Sequence, residues 1–121
     1  MALLSDVIGD QVGALNTYKT GRLDLGSRSG AVNLDLSLSN DFTCTLTAAT
    51  TFTITNCPTT GVVSFSLQLT GGGSYTTTFT SAKYPGATAP ALTSGGIDVI
   101  TFITYDNGTS WRGTVAMKDS R

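Results

Sequence analysis

Two periodicities divide the chain. Over residues 3–15, LLSDVIGDQVGAL, the apolar residues Leu3, Leu4, Val7, Ile8, Val12 and Leu15 recur at spacings of three and four. That pattern predicts a short amphipathic helix, weakened by Gly9 and Gly13 and too short to persist in water without a partner surface. These six residues are therefore expected at an interface: with the chain's own domain, a sister subunit or another protein. Residues 16–30 read as a polar, glycine-punctuated connector with a short strand at 22–25.

From Ala31 the period becomes two. Val32, Leu34, Leu36 and Leu38 alternate with Asn33, Asp35, Ser37 and Ser39. The same alternation recurs in DFTCTLT (41–47), TTFTIT (50–55) and VVSFSLQLT (62–70), and more weakly in SYTTTFT (74–80). Each stretch predicts a half-buried strand with a hydroxyl-bearing outer face. The separators Ser39-Asn40-Asp41, Cys57-Pro58-Thr59-Thr60-Gly61 and Gly71-Gly72-Gly73 carry turn chemistry, the last expected as a hairpin loop. IDVITFITY (97–105) differs, with apolar residues on both faces, so both faces are expected to be covered. Tyr105-Asp106-Asn107-Gly108 then supplies the Asn-Gly signal of a tight hairpin. The return strand places Trp111, Val115 and Met117 on one face. Short strands at this spacing predict an all-β fold, an antiparallel β-sandwich or jelly-roll-like barrel of seven to eight strands. The expected division is an N-terminal arm over 1–28 and a β-domain over 29–121.

Composition narrows the chemistry. The 121 residues include no His and no Glu, so carboxylate chemistry falls to eight dispersed Asp residues. Net charge is −1 and the seven cations are scattered, which leaves no footprint for nucleic acid or an anionic membrane. No run of about 18 apolar residues occurs, and the N-terminus has no basic leader, so synthesis in a cytoplasm is expected. Cys44 and Cys57 have neither CxxC spacing nor a His partner; buried or turn-associated free thiols are expected, with a disulfide conceivable only under oxidising conditions.

The candidate sites resolve toward structure. Gly71-Gly72-Gly73 lacks the GK[ST] of a phosphate loop, and Asp106-Asn107-Gly108 lacks the spaced carboxylates of a calcium loop. Asp24, Asp35 and Asp41 fall on a polar strand face and in turns, where solvated surface outweighs a hydrolytic pair. Serines lack the usual His base. Tyr75, Tyr84, Tyr105 and Trp111 would stack on sugars only if they emerged on one surface, and core or interface packing is the commoner fate. No catalytic, cofactor-binding or metal-binding residue is expected.

Residues 29–117 also resemble a small β-domain of tailed-bacteriophage structural proteins, including tail fibres and capsid decoration proteins. The resemblance rests on Lys83-Tyr84-Pro85-Gly86, Ala89-Pro90, Asp98 and Tyr105-Asp106-Asn107-Gly108-Thr109-Ser110-Trp111-Arg112-Gly113, in that order. It implies structural roles for Tyr84, Pro85, Gly86, Pro90, Asp98, Tyr105, Asp106, Gly108, Trp111 and Gly113, with no catalytic residue to carry over. Arg112 departs from it, standing where an aromatic is frequent. It further implies a homotrimer that binds the major capsid protein on the outer surface of a virion. The alternative is a tail-associated module that touches tail proteins or a host-surface receptor.

Overall fold

Over the described residues, alternation carries the chain into seven strands: β1 (Leu23–Asp35), β2 (Asp41–Thr55), β3 (Val63–Thr70), β4 (Thr77–Phe79), β5 (Ala82–Lys83), β6 (Ile97–Thr104) and β7 (Trp111–Met117). The computed structural model describes residues 21–121. The expected arm helix, with Leu3, Leu4, Val7, Ile8, Val12 and Leu15, lies outside the described residues.

β1 pairs in parallel with β2, Leu23 opposite Phe42 at one end and Asp35 opposite Thr55 at the other. Only residues 36–40 join the two strands. A straight strand of β1's length would extend roughly 40 Å, whereas so short a link reaches about 20 Å. Parallel pairing therefore requires β1 to curl back on itself. It bends at Gly26 and Gly30, whose φ angles of 70° and 74° lie in the left-handed region that glycine adopts without steric cost. The register with β2 shifts at the same two places. The coil closes where the Ser39 hydroxyl donates to the Gly21 carbonyl at 2.6 Å.

β2 repeats the coil. Its residues 41–45 pair in parallel with 66–70 of β3, and its residues 50–52 pair in parallel with β4. Parallel register places Val32, Phe52 and Phe79 in one inward column and Leu23, Phe42 and Leu67 in another. On the other face Thr51 lies beside Thr78, and Thr45 beside Thr70. β-Branched threonine suits this pleated, half-wet surface. Beyond β3 the pairing changes: β3–β6 and β6–β7 are antiparallel, and β5 returns parallel to β7. The strand order is β1-β2-β3-β6-β7-β5, with β4 alongside β2.

All five Phe residues and the Trp join one aromatic network in the core. Phe52 stacks on Phe79 at 5.0 Å, Phe79 meets Phe102 at 5.0 Å, and Phe102 stacks on Phe65 at 5.1 Å. Phe65 also receives Phe42 and Trp111 edge-on, at 6.0 and 5.0 Å. Contacts of this geometry add about 0.5–1.5 kcal/mol each beyond the area they bury.

The all-β expectation holds. The arrangement is one curled, mixed sheet, a half-barrel, and its parallel coils replace the expected antiparallel sandwich. Alternation reports which face a residue occupies and not the direction of its neighbour, so it carries no signal for parallel coiling. Two other expectations change for the same reason. The stretches 41–47 and 50–55 are one continuous strand bent around a corner, and 71–73 is the next corner between β3 and β4, not a hairpin. The short strand expected at 22–25 is the start of β1, which runs on through the rest of the polar connector.

Candidate binding face

The stretch 83–113 carries all of the motif residues, and its carboxylates are spent on turns. Asp98, on the inner face of β6, is fully buried. One of its oxygens accepts from the Thr93 backbone N–H at 2.6 Å. The other accepts from the Thr93 hydroxyl at 2.7 Å and the Asp119 N–H at 2.9 Å. Burial pushes its pKa up, but these donors and the nearby Lys118 outweigh burial and hold it below the ordinary value. Asp98 thus ties the loop before β6 to the tail after β7.

Asp106 does the same for the β6–β7 hairpin. It accepts from the Ser110 N–H at 2.9 Å, the Ser110 hydroxyl at 2.7 Å and the Thr104 hydroxyl at 2.8 Å. The two Ser110 bonds, then Thr104, lower its pKa to about 2. Asn107 and Gly108 take φ angles of 59° and 85°, as the Asn-Gly signal predicts. Trp111 is 1% exposed and packs edge-on to Phe65. Gly113 lies against the Phe102 ring, where an added Cβ would come within 2.5 Å of a ring carbon. Tyr84-Pro85-Gly86 forms a short turn, with the Ala87 N–H donating to the Tyr84 carbonyl at 2.9 Å. Tyr84 is half-buried, and burial raises its phenol pKa. Pro90 is half-buried beside Leu92 in a crevice under that loop.

The aromatic residues do not converge. Tyr75 and Tyr105 are exposed, Tyr84 is half-buried and Trp111 is in the core. Cys44 is buried and Cys57 half-buried; both are free thiols whose pKa burial raises. Among the described residues, no group of three or more His, Cys, Asp or Glu side chains could hold a metal ion.

What the fold does bring together is the outer face of the sheet. β6 alternates strictly: Asp98, Ile100, Phe102 and Thr104 are buried, while Ile97, Val99, Thr101 and Ile103 are half-buried on the outside. The expectation that both faces of this strand are covered thus holds fully only for the inner one. Register aligns outward residues into rows across the strands. Lys83, Arg112, Ile103 and Ser64 form one row, from β5 through β7 and β6 to β3. Thr114, Thr101, Ser66 and Asp41 form the next, ending on β2.

Three depressions lie along these rows. The first, about 330 Å³, is lined by Lys83, Tyr84, Pro85, Ile103, Arg112, Gly113 and Thr114. The second, about 150 Å³, includes Asn40, Asp41, Ser64, Ser66 and Thr101. The third, about 280 Å³, shares Asp41 and Ser66 with it and reaches Arg22, Thr43, Gln68 and Val99. Together they cross β5, β7, β6, β3 and β2, about 19 Å at the usual strand spacing. Lys83 and Arg112 are exposed in-register neighbours, and the ion pair among the described residues is elsewhere, between Arg121 and Asp119.

The sequence shows that hydroxyls occupy the outer positions. It does not show that Lys83 and Arg112 meet, because their pairing depends on a parallel return of β5 that alternation cannot report. Comparison with protein-family models, with curated proteins and with solved structures gives no match to this chain.

Proposed function

We propose that the chain is a virion structural protein: a capsid decoration protein that sits on the outer capsid surface as a trimer and stabilises the shell by adding interface. The observation that supports this reading is the open end of the coil. Among the described residues, β1 has a strand on one side only. Leu23, Leu25 and Leu36 are half-buried there, and Leu38 is 67% exposed. An unpaired strand edge with apolar residues around it is a template for further pairing or packing. The amphipathic pattern of Leu3, Leu4, Val7, Ile8, Val12 and Leu15 leads into this same end. Attachment through it would add about 800 Å² per partner at each contact, repeated over the shell. Three-fold positions on the shell call for a trimer.

The test is the copy number of this chain per purified particle, relative to the major capsid protein. Stoichiometry on the scale of the capsomers supports decoration. A handful of copies per particle overturns it and favours the second reading, a tail-associated receptor-binding or adaptor module, for which the line of three depressions on the outer face, an interrupted trough, speaks. Deleting residues 1–20 is expected to abolish attachment while the β-domain stays folded. Attachment that survives the deletion removes the arm from this role.

A further inference from the structure

We infer that the outer face of the sheet binds an oligosaccharide carrying an anionic group, with that group seated between Lys83 and Arg112. The inference goes beyond the structural role proposed above and does not depend on where in a particle the chain sits.

The chemistry of the lining points to sugar. Its middle is built from Ser64, Ser66, Thr101 and Thr114, with the amides of Asn40 and Gln68 beside them and the Asp41 carboxylate, which accepts from the Ser66 hydroxyl and keeps the anionic group of a ligand to the far end. Hydroxyls and amides both donate and accept, which matches the mixed demand of sugar hydroxyls. Short Ser and Thr side chains on a paired sheet are also held in place before a ligand arrives, so little ordering remains to be done on binding. Between the hydroxyls, Ile103 and Val99 offer small flat apolar areas, and Tyr84 and Pro85 wall one end; these suit the C–H faces of sugar rings.

Other ligands fit less well. The trough runs across the strands, over backbone already paired within the sheet, so an extended peptide would find no edge to add to. A nucleic acid strand would need cations along its whole length, whereas here two stand together at one end and Arg22 at the other. The pair at the first end is the specific element. Lys83 and Arg112 are directly opposite in the β5–β7 register, and both line the first of the three depressions. Arg presents a planar fork suited to a carboxylate, and Lys adds a second charge-assisted donor.

The experiment is a binding titration of the full chain by calorimetry or NMR with three probes: a galacturonate oligosaccharide, a neutral glucan oligosaccharide of the same length, and polyglutamate. Saturable binding of the galacturonate probe is expected. It should weaken at least about tenfold in Lys83→Ala and Arg112→Ala, the loss of one charge-assisted contact each. Thr101→Val, which removes a hydroxyl from the middle of the trough while keeping a strand-forming shape, is expected to weaken it as well. Circular dichroism confirms that each variant is folded. Absence of binding to the galacturonate probe, equal binding of the neutral one, or a response to polyglutamate of the same strength that Thr101→Val leaves untouched would each overturn the inference. These outcomes leave the particle copy number unaffected, so the inference and the structural role stand or fall separately.

Discussion

The coil half of the sheet and the hairpin half are ordered by different means. β1, β2 and β4 repeat a parallel turn, so each inward position is backed by its counterpart in the next turn: Val32 by Phe52, Phe52 by Phe79. Order there is distributed along columns, and its carboxylates act locally at corners: Asp24 accepts from the Gly26 N–H, Asp35 from Ser37 and Asn56, and Asp41 from the Ser66 hydroxyl. β6 and β7 have no such repeat. The loop before β6, the hairpin and the C-terminal tail are pinned at points, by Asp98 and Asp106. Damage to a column should therefore weaken the whole sheet, while loss of a point anchor should loosen one neighbourhood.

The largest effect is expected in the coil. Phe52 is fully buried, lies in register between Val32 and Phe79, and stacks on the latter. Phe52→Ala would leave a cavity that the curled strands cannot close, at a cost of about 3–5 kcal/mol. In a denaturant titration, fluorescence of Trp111 on the far side of the aromatic network should shift together with the far-ultraviolet signal. Separate transitions would show that the columns do not bind the two halves into one unit.

Asp98→Ala comes next. It removes the charged acceptor shared by the Thr93 and Asp119 N–H groups, whose bonds are only partly buried, at about 1.5–3 kcal/mol for hydrogen bonds to a charged group. The diagnostic is where protection is lost. Amide exchange should accelerate over residues 88–96 and at the C-terminal tail, while the β1–β2 ladder stays slow. Uniform acceleration across the sheet would erase the contrast between the two halves.

What the sequence made legible follows the same line. The inward set Phe42, Cys44, Phe52, Phe65, Leu67 and Leu69 is readable from alternation alone, and all six are buried. So is the hairpin at Asn107-Gly108, because positive φ is a local demand with a local signature. The parallel coils are not legible. They depend on β1 bending at Gly26 and Gly30, and glycines bracketing the polar run Ser27-Arg28-Ser29 read equally well as connector. Asp98 misleads in the opposite way: its charge says surface, yet it faces inward because donors from two separate segments converge on it. The Lys83–Arg112 juxtaposition was hidden for the first of these reasons. It belongs to register, and register across a parallel return is set by tertiary closure and not by period.

The smallest effect is the one that acid should reveal. Asp106 in the folded chain has a pKa lowered to about 2 from an ordinary value of 3.8, by its bonds from Ser110 and Thr104. Its unfolded form therefore takes up a proton first as pH falls. The stabilisation is fully present above the ordinary carboxylate value and is lost progressively as pH drops from there toward 2. Asp98 and Asp35 are shifted in the same direction and add to the same window. Because Asp106 is exposed, solvent limits what its bonds contribute. The expected signature is thus a gentle decline of stability on acidification below pH 4, with hairpin amides around 105–110 responding before those of β2. Asp106→Asn should flatten the hairpin's part of that decline while lowering stability at neutral pH slightly. If Asp106→Asn leaves the acid profile of the hairpin amides unchanged, the turn is held by its backbone conformation at Asn107 and Gly108, and the carboxylate is not its anchor.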